Sequence, residues 1–295
     1  MSCPDCFRGT IHNHDPGVEG VNGHEETVHG KRTYIATPTL PADSQSTVLF
    51  ITDAFGIDFV NNKILADKYA AGTGLRVLLP DLIPGGAMST FAMELMDQVM
   101  EPVSWWNIWG QLKRIGAVFR AIGYVAPFMI RSGPAKSYPS VLQWTRKLKA
   151  DMPAGAKLGV AGFCWGGYQS TNLSKEPAIE GGSVRLVDAQ FCAHPSALAL
   201  PDMIVDAVKT FKVPYSLAQA DLDFGLPTKK VHETEAKLRQ EVGDGQGEGG
   251  YVYEIKILKG CHHGFAVRAK PGDTVESKGA DDAKDQAIEW FKKHL

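Results

Sequence analysis

Gly159-Val160-Ala161-Gly162-Phe163-Cys164-Trp165-Gly166-Gly167 decides how this chain of 295 residues is read. Lys157 to Ala161 is a short apolar run with strand character, residues from Tyr168 onward can begin a helix, and Gly-x-Cys-x-Gly joins the two. A strand that turns sharply into a helix lifts one side chain on a strained backbone, and its neighbours must lack Cβ atoms so that strand and helix pass closely. The helix N-terminus stabilises a thiolate at Cys164 and an oxyanion forming beside it. The Trp165 backbone N–H is one candidate donor to that oxyanion. A buried cysteine is also a small hydrophobe, so the motif by itself leaves catalysis and packing as alternatives.

Outward from this turn the chain alternates between two periods. Thr47 to Thr52, Arg76 to Leu79, Val187 to Ala193, Tyr215 to Ala220 and Tyr251 to Leu258 read as short apolar strands. Asn61 to Ala71, Tyr138 to Ala150, Lys229 to Val242 and Asp281 to His294 carry apolar residues at helical spacing. This alternation predicts an α/β fold with a mostly parallel central sheet and helices on both faces. Thr33 to Ala36 is expected as an antiparallel edge strand, and the Gly-rich stretch Gly243 to Gly250 as a surface loop. Residues 88–135 break the pattern: Trp105, Trp106, Trp109, Phe119 and Phe128 occur there without a strand-like run. A helical insertion over the C-terminal edge of the sheet accounts for them, and ligands bind at that edge in such folds. Trp105 and Trp109 are therefore candidate substrate contacts as part of that group. Taken singly, each aromatic also fits ordinary helix packing.

A nucleophile on this turn needs an acid and then a base later in the chain, each just past a strand. Tyr215 to Ala220 is followed by Asp221-Leu222-Asp223-Phe224-Gly225-Leu226-Pro227, and Tyr251 to Leu258 by Lys259-Gly260-Cys261-His262-His263-Gly264-Phe265. The order nucleophile, acid, histidine is thus present. Two aspartates and two histidines compete for the roles, and an aspartate in a loop also serves as a turn or helix cap.

Composition narrows the function classes. Hydrophobic residues make up 44% and charged residues 22%, enough for a sizeable core. A formal net charge of -2 offers no reason to expect nucleic acid or an anionic membrane as partner. No stretch reaches the ~18 apolar residues of a bilayer span, and the opening residues lack a basic segment followed by an apolar one. Five cysteines, an odd number, do not read as a disulfide framework. A reducing, cytoplasmic location is expected.

The Gly-Phe-Cys-Trp-Gly-Gly turn, His263-Gly264-Phe265-Ala266, Asp53-Ala54-Phe55-Gly56 and Pro80-Asp81-Leu82 together resemble the dienelactone hydrolase family (carboxymethylenebutenolidase and its relatives), across residues 30–295. The resemblance implies an α/β-hydrolase fold and a triad of Cys164, Asp223 and His263. In that family the acid stands four residues before a proline, which selects Asp223 with Pro227. Its histidine precedes a small residue, Phe and Ala, which selects His263. The family also implies that Asp53 contacts the resting thiol and that the Ala54 backbone N–H is a second oxyanion donor. Arg268 matches, one position late, an arginine that grips a substrate carboxylate. The implied partner is a small ester or lactone, hydrolysed with no cofactor or metal.

Residues 1–30 are expected as an N-terminal extension and 31–295 as the hydrolase domain. Cys3, Cys6, His12 and His14 have spacings too short for usual zinc sites, so a metal-free terminal segment is expected there. Two other functions fit the same scaffold: a carboxylesterase or a hydrolase of polyketide-type lactones, and a non-catalytic relative that binds a ligand. Oligomeric state is open from sequence.

Overall fold

A computed structural model describes residues 21–42, 44–100, 103–223, 225–269 and 272–295. Its strands are β1 (His24–Val28), β2 (Lys31–Ala36), β3 (Thr47–Ile51), β4 (Arg76–Pro80), β5 (Leu158–Phe163), β6 (Ala189–Ala193), β7 (Tyr215–Ala220) and β8 (Tyr253–Leu258). They make one sheet in the order β1-β2-β4-β3-β5-β6-β7-β8, antiparallel at β1–β2 and β2–β4 and parallel from β4 to β8. The helices are α1 (Val60–Thr73), α2 (Phe91–Met100), α3 (Ile108–Ser132), α4 (Pro134–Asp151), α5 (Trp165–Leu173), α6 (Asp202–Lys209), α7 (Thr228–Val242), α8 (Phe265–Arg268) and α9 (Thr274–His294).

The expected α/β class, with its mostly parallel sheet, describes this architecture. Strands β3, β5, β6 and β7 are buried along their whole length, as sheet strands covered on both faces must be. Phe163 at the end of β5 stacks on Phe50 of β3, with ring centroids 4.5 Å apart and Tyr69 of α1 tilted against both. That aromatic cluster is the floor beneath residue 164.

Strand order also locates the site. From β3 the chain passes through α1 to β4 on one side, and it then crosses back to β5 on the other side of β3. The loops after β3 and β5 therefore diverge at a topological switch point, where open parallel sheets leave a crevice. Asp53 and Ala54 follow β3, and Cys164 and Trp165 follow β5.

Three expectations need correction. Thr33 to Ala36 belongs to β2, which is not the edge: β1 pairs along its outer side. That outermost strand, His-Glu-Glu-Thr-Val, is exposed except at its end, so it lacks the apolar alternation that reveals a strand. Its Glu25 instead meets surface cations, Lys63 at 2.6 Å and Arg32 at 3.7 Å. β1 also falls within the segment read as an N-terminal extension. Finally, α9 starts at Thr274 instead of Asp281, because Asp273 caps it by accepting from the Val275 and Glu276 N–H groups. Cys3, Cys6, His12 and His14 lie outside the described residues. Among the described residues, no helix is long and apolar enough to cross a membrane.

Candidate active site

Cys164 has φ 50° and ψ -108°, a left-handed backbone that a residue with a Cβ adopts only at a cost. The fold supplies that cost through glycine. A Cβ on Gly162 would run into the Gly166 carbonyl and the Ser170 hydroxyl, and one on Gly166 would run into the Ile51 and Thr52 carbonyls. The same close approach lets the Gly166 N–H donate to the Thr52 carbonyl at 3.1 Å, tying the turn after β5 to the end of β3. Cys164 is buried and stands at the head of α5.

His263 follows β8 and Asp223 follows β7, both with buried side chains. His263 Nδ1 lies 2.8 Å from Asp223 Oδ2. Asp223 is itself held in place. Its Oδ1 accepts from the Gly225 N–H at 2.9 Å and the Leu226 N–H at 3.2 Å, and Gln219 Nε2 donates to Oδ2 at 3.1 Å. Burial alone would raise the Asp223 pKa, but His263 and these donors outweigh it and hold the carboxyl below the usual range. For His263, burial opposes the imidazolium, while the Asp223 and Cys164 charges and hydrogen bonds push its pKa well above the ordinary value.

The competing residues face elsewhere. His262 Nδ1 pairs with Glu276 at 3.0 Å. Asp221 braces the turn after β8, accepting from the Gly260 N–H at 3.4 Å and from Lys259 at 3.5 Å.

Asp53 is fully buried after β3. Its Oδ1 accepts from the Phe55 N–H at 3.2 Å and from Asn62 at 3.1 Å, and its Oδ2 lies 3.6 Å from Arg268 Nε. Burial raises its pKa, Arg268 pulls it down, and the nearby Cys164 raises it again, with a net upward shift. Arg268, expected at a substrate carboxylate, is enclosed: its guanidinium sits 5.0 Å over the Phe55 ring and beside Asp53. It also fills the space that a Cβ on Gly264 would need, a second reason for glycine there besides its φ of 94°. Trp105 and Trp109 are 80% and 77% exposed at the start of the insertion. Side chains so open to solvent are not lining an enclosed pocket.

The backbone N–H groups beside Ala54 and Trp165 are committed, Phe55 to Asp53 and Gly166 to Thr52. Ala54 and Trp165 stand on adjacent strands' loops at the switch point, which is where two converging donors are needed.

Two residues escaped the sequence reading. Ser196 Oγ lies 3.2 Å from Cys164 Sγ and 3.4 Å from His263 Nε2, so it bridges thiol and imidazole. His194, at φ 38°, packs the edge of its ring against His263 with centroids 4.9 Å apart. Burial and the positive neighbours His263 and Arg268 push its pKa well down, so it is neutral. The available signal was position: His194-Pro195-Ser196 follows β6 at the same sheet edge as the other site loops. Among the described residues, no three His, Cys, Asp or Glu side chains gather as a metal site.

Comparison with known proteins identifies the family. The model of the dienelactone hydrolase family matches residues 32–295. The hydrolase pyvD of Aspergillus violaceofuscus is 25% identical over 294 residues, covering 98% of this chain and 96% of that protein. The hydrolase tropI of Talaromyces stipitatus is 27% identical over 296 residues, covering 100% and 96%. A putative dienelactone hydrolase structure from Klebsiella pneumoniae superposes with a TM-score of 0.59 at 17% identity, covering 94% of this chain and 100% of that one, and so shares the fold. With a family match that runs from β2 to the last helix and takes in the insertion and every site loop described above, the chain belongs to the dienelactone hydrolase family and is a hydrolase of ester or lactone bonds.

Proposed function

We propose that Cys164 is the nucleophile of this hydrolase, with His263 as acid–base and Asp223 as the group that orients it. The observation that carries this reading is the buried line from Asp223 through His263 to Ser196 and Cys164, with contacts of 2.8, 3.4 and 3.2 Å. An imidazolium favoured by both Asp223 and the Cys164 charge is the partner a resting thiolate requires.

The thiolate attacks the carbonyl carbon, and the carbonyl electron pair moves onto oxygen. The Ala54 and Trp165 N–H groups donate to that oxyanion. Collapse of the tetrahedral intermediate expels the leaving oxygen, which takes the proton from His263 Nε2 and leaves a thioester on Cys164. Neutral His263 then removes a proton from water, the hydroxide adds to the thioester, and the second collapse releases the carboxylic acid and restores the thiolate. In a lactone the leaving oxygen stays attached, so the product is a ring-opened hydroxy acid or its keto form.

Asp53 and Arg268 support the site from behind. Arg268 neutralises Asp53 in the buried layer next to the thiol, so we assign it to holding that carboxylate in place. Asp53 in turn sets the charge that Cys164 experiences in the resting state. The natural substrate is a small activated ester or lactone, because a thiolate expels enolate and activated alkoxide groups more readily than amines.

The test is turnover of p-nitrophenyl acetate and of a dienelactone by wild type and Cys164→Ala, with iodoacetamide labelling mapped by mass spectrometry. The expected result is a loss of at least ~1000-fold in kcat/KM for the variant and labelling at Cys164. Turnover that survives the substitution would overturn the nucleophile assignment. Rapid labelling without turnover of either ester would keep the site and reject the substrate class.

A further inference from the structure

Helix α3 turns one narrow face to the protein through Ala117, Ala121, Phe128 and Ser132. Its opposite face is apolar and exposed. Ile108, Leu112, Ile115, Phe119 and Ile122 recur at alternating spacings of four and three, which places them in one stripe. Phe119 is 70% exposed. Trp105 and Trp106 stand just before the helix and Trp109 in its first turn, all open to solvent, whereas Trp144, Trp165 and Trp290 are buried. Stripe and indoles together present on the order of 1,000 Å² of apolar side chain, more than the few hundred Å² usual for the largest patch on a monomer.

Charge decides what covers this face. The 25 residues of α3 include Lys113, Arg114, Arg120 and Arg131 and no Asp or Glu. Lys113, Arg120 and Arg131 fall along one flank of the helix at helical spacing, between the stripe and the buried face. Two of them are steadied there: Arg120 sits 5.3 Å over the Phe91 ring, and Arg131 donates to the Gly86 carbonyl at 3.0 Å. A second copy of the chain would bring the same basic helix to the seam, and like charges across an interface are costly. Residues 1–20 offer only Phe7, Ile11 and Val18 as large aliphatic or aromatic side chains beyond Met1, too few to cover the stripe. An apolar stripe flanked by cations and headed by tryptophans matches the chemistry of an anionic lipid surface.

We propose that α3 and Trp105 to Trp109 dock this protein on an anionic bilayer surface, with the helix lying in the interface plane. A net charge of -2 for the whole chain conceals this because it averages a basic helix with acidic surface elsewhere. The docking helix is wired to the catalytic turn: the Trp165 indole N–H donates to the Ser132 carbonyl at its C-terminal end, at 2.7 Å.

The experiment mixes the full chain with phosphatidylcholine vesicles, with or without added phosphatidylserine, at low and high salt. Binding is read by co-sedimentation and tryptophan emission. The expected result is binding only to vesicles containing phosphatidylserine, with a blue shift from the three exposed indoles and release as salt rises. Lys113→Glu with Arg120→Glu is expected to weaken binding by roughly tenfold or more. Ile115→Ser with Phe119→Ser should abolish it while turnover of a water-soluble ester is unchanged. Equal, salt-insensitive binding to both vesicle types would overturn the assignment. So would the absence of vesicle binding, whether the chain is then a monomer or a dimer with shielded indoles. Neither readout depends on the reaction, so failure here leaves the assignment of Cys164 untouched.

Discussion

The sheet edge that carries Cys164 and the insertion that carries α3 follow opposite rules of burial. At the sheet edge, polar and charged side chains lie inside: Asp53, Asp223, His194, His263 and Arg268 are all buried, and the carboxylates are fixed by backbone and side-chain donors. In the insertion, large apolar side chains lie outside, and the contacts they would make are not with this domain. Burying charge is expensive unless every charge is paired or hydrogen-bonded, so the first arrangement is maintained for chemistry. Exposing large apolar side chains forgoes burial energy, so the second is maintained for contact with something else. Substitutions in the two regions should therefore fail in different assays.

The largest separation is expected from Asp223→Asn. It leaves the shape of the site and removes the charge that favours the His263 imidazolium, so kcat/KM should fall on the order of 1,000-fold. Stability should change with pH in a defined direction. The folded-state pKa of Asp223 is lowered, so its stabilising contribution is complete above the unfolded value of about 4 and is lost as pH falls through the folded value. Thermal melts of wild type should thus lose midpoint below about pH 4 more steeply than those of the variant. Parallel acid limbs for the two proteins would refute the buried ion pair.

A smaller effect is expected from Ser196→Ala. The hydroxyl bridges thiol and imidazole, and removing one such hydrogen bond should lower kcat/KM about three- to tenfold with little change in KM. If Ser196 transmits the proton between Cys164 and His263, the pH dependence of iodoacetamide labelling will shift as well. An unshifted labelling profile would reduce Ser196 to packing.

The smallest effect on the folded domain is expected from Phe119→Ser in the insertion. An exposed side chain contributes little to the core, so stability measured by urea unfolding should stay within about 0.5 kcal/mol of wild type. Soluble-ester turnover should stay level too. A loss of several kcal/mol would mean that α3 packs against this domain after all, and the contrast between the regions would collapse.

Much of the fold was legible because the signals are local. The strand period, the helical period and the glycines flanking Cys164 report backbone geometry within a few residues. β1 stayed hidden because its residues face solvent and carry charge. The first turns of α9 were missed because Thr274, Ser277 and Gly279 are weak helix formers and carry little apolar period.

The site divides in the same way. Order along the chain, with a nucleophile, an acid and a histidine each after its own strand, already pointed to Cys164, Asp223 and His263, and family resemblance chose between neighbours. Ser196, His194 and the Arg268–Asp53 pair could not be read from spacing, since their partners lie 32, 67 and more residues away. They meet because β3, β5, β6, β7 and β8 lie side by side and end along one edge, β4 having been placed on the far side of β3. Local chemistry thus sets which turn can hold a strained cysteine and which stretches become strands. Strand order decides which buried charges become neighbours, because electrostatics in a desolvated crevice depends on distances of a few ångströms that only packing brings about.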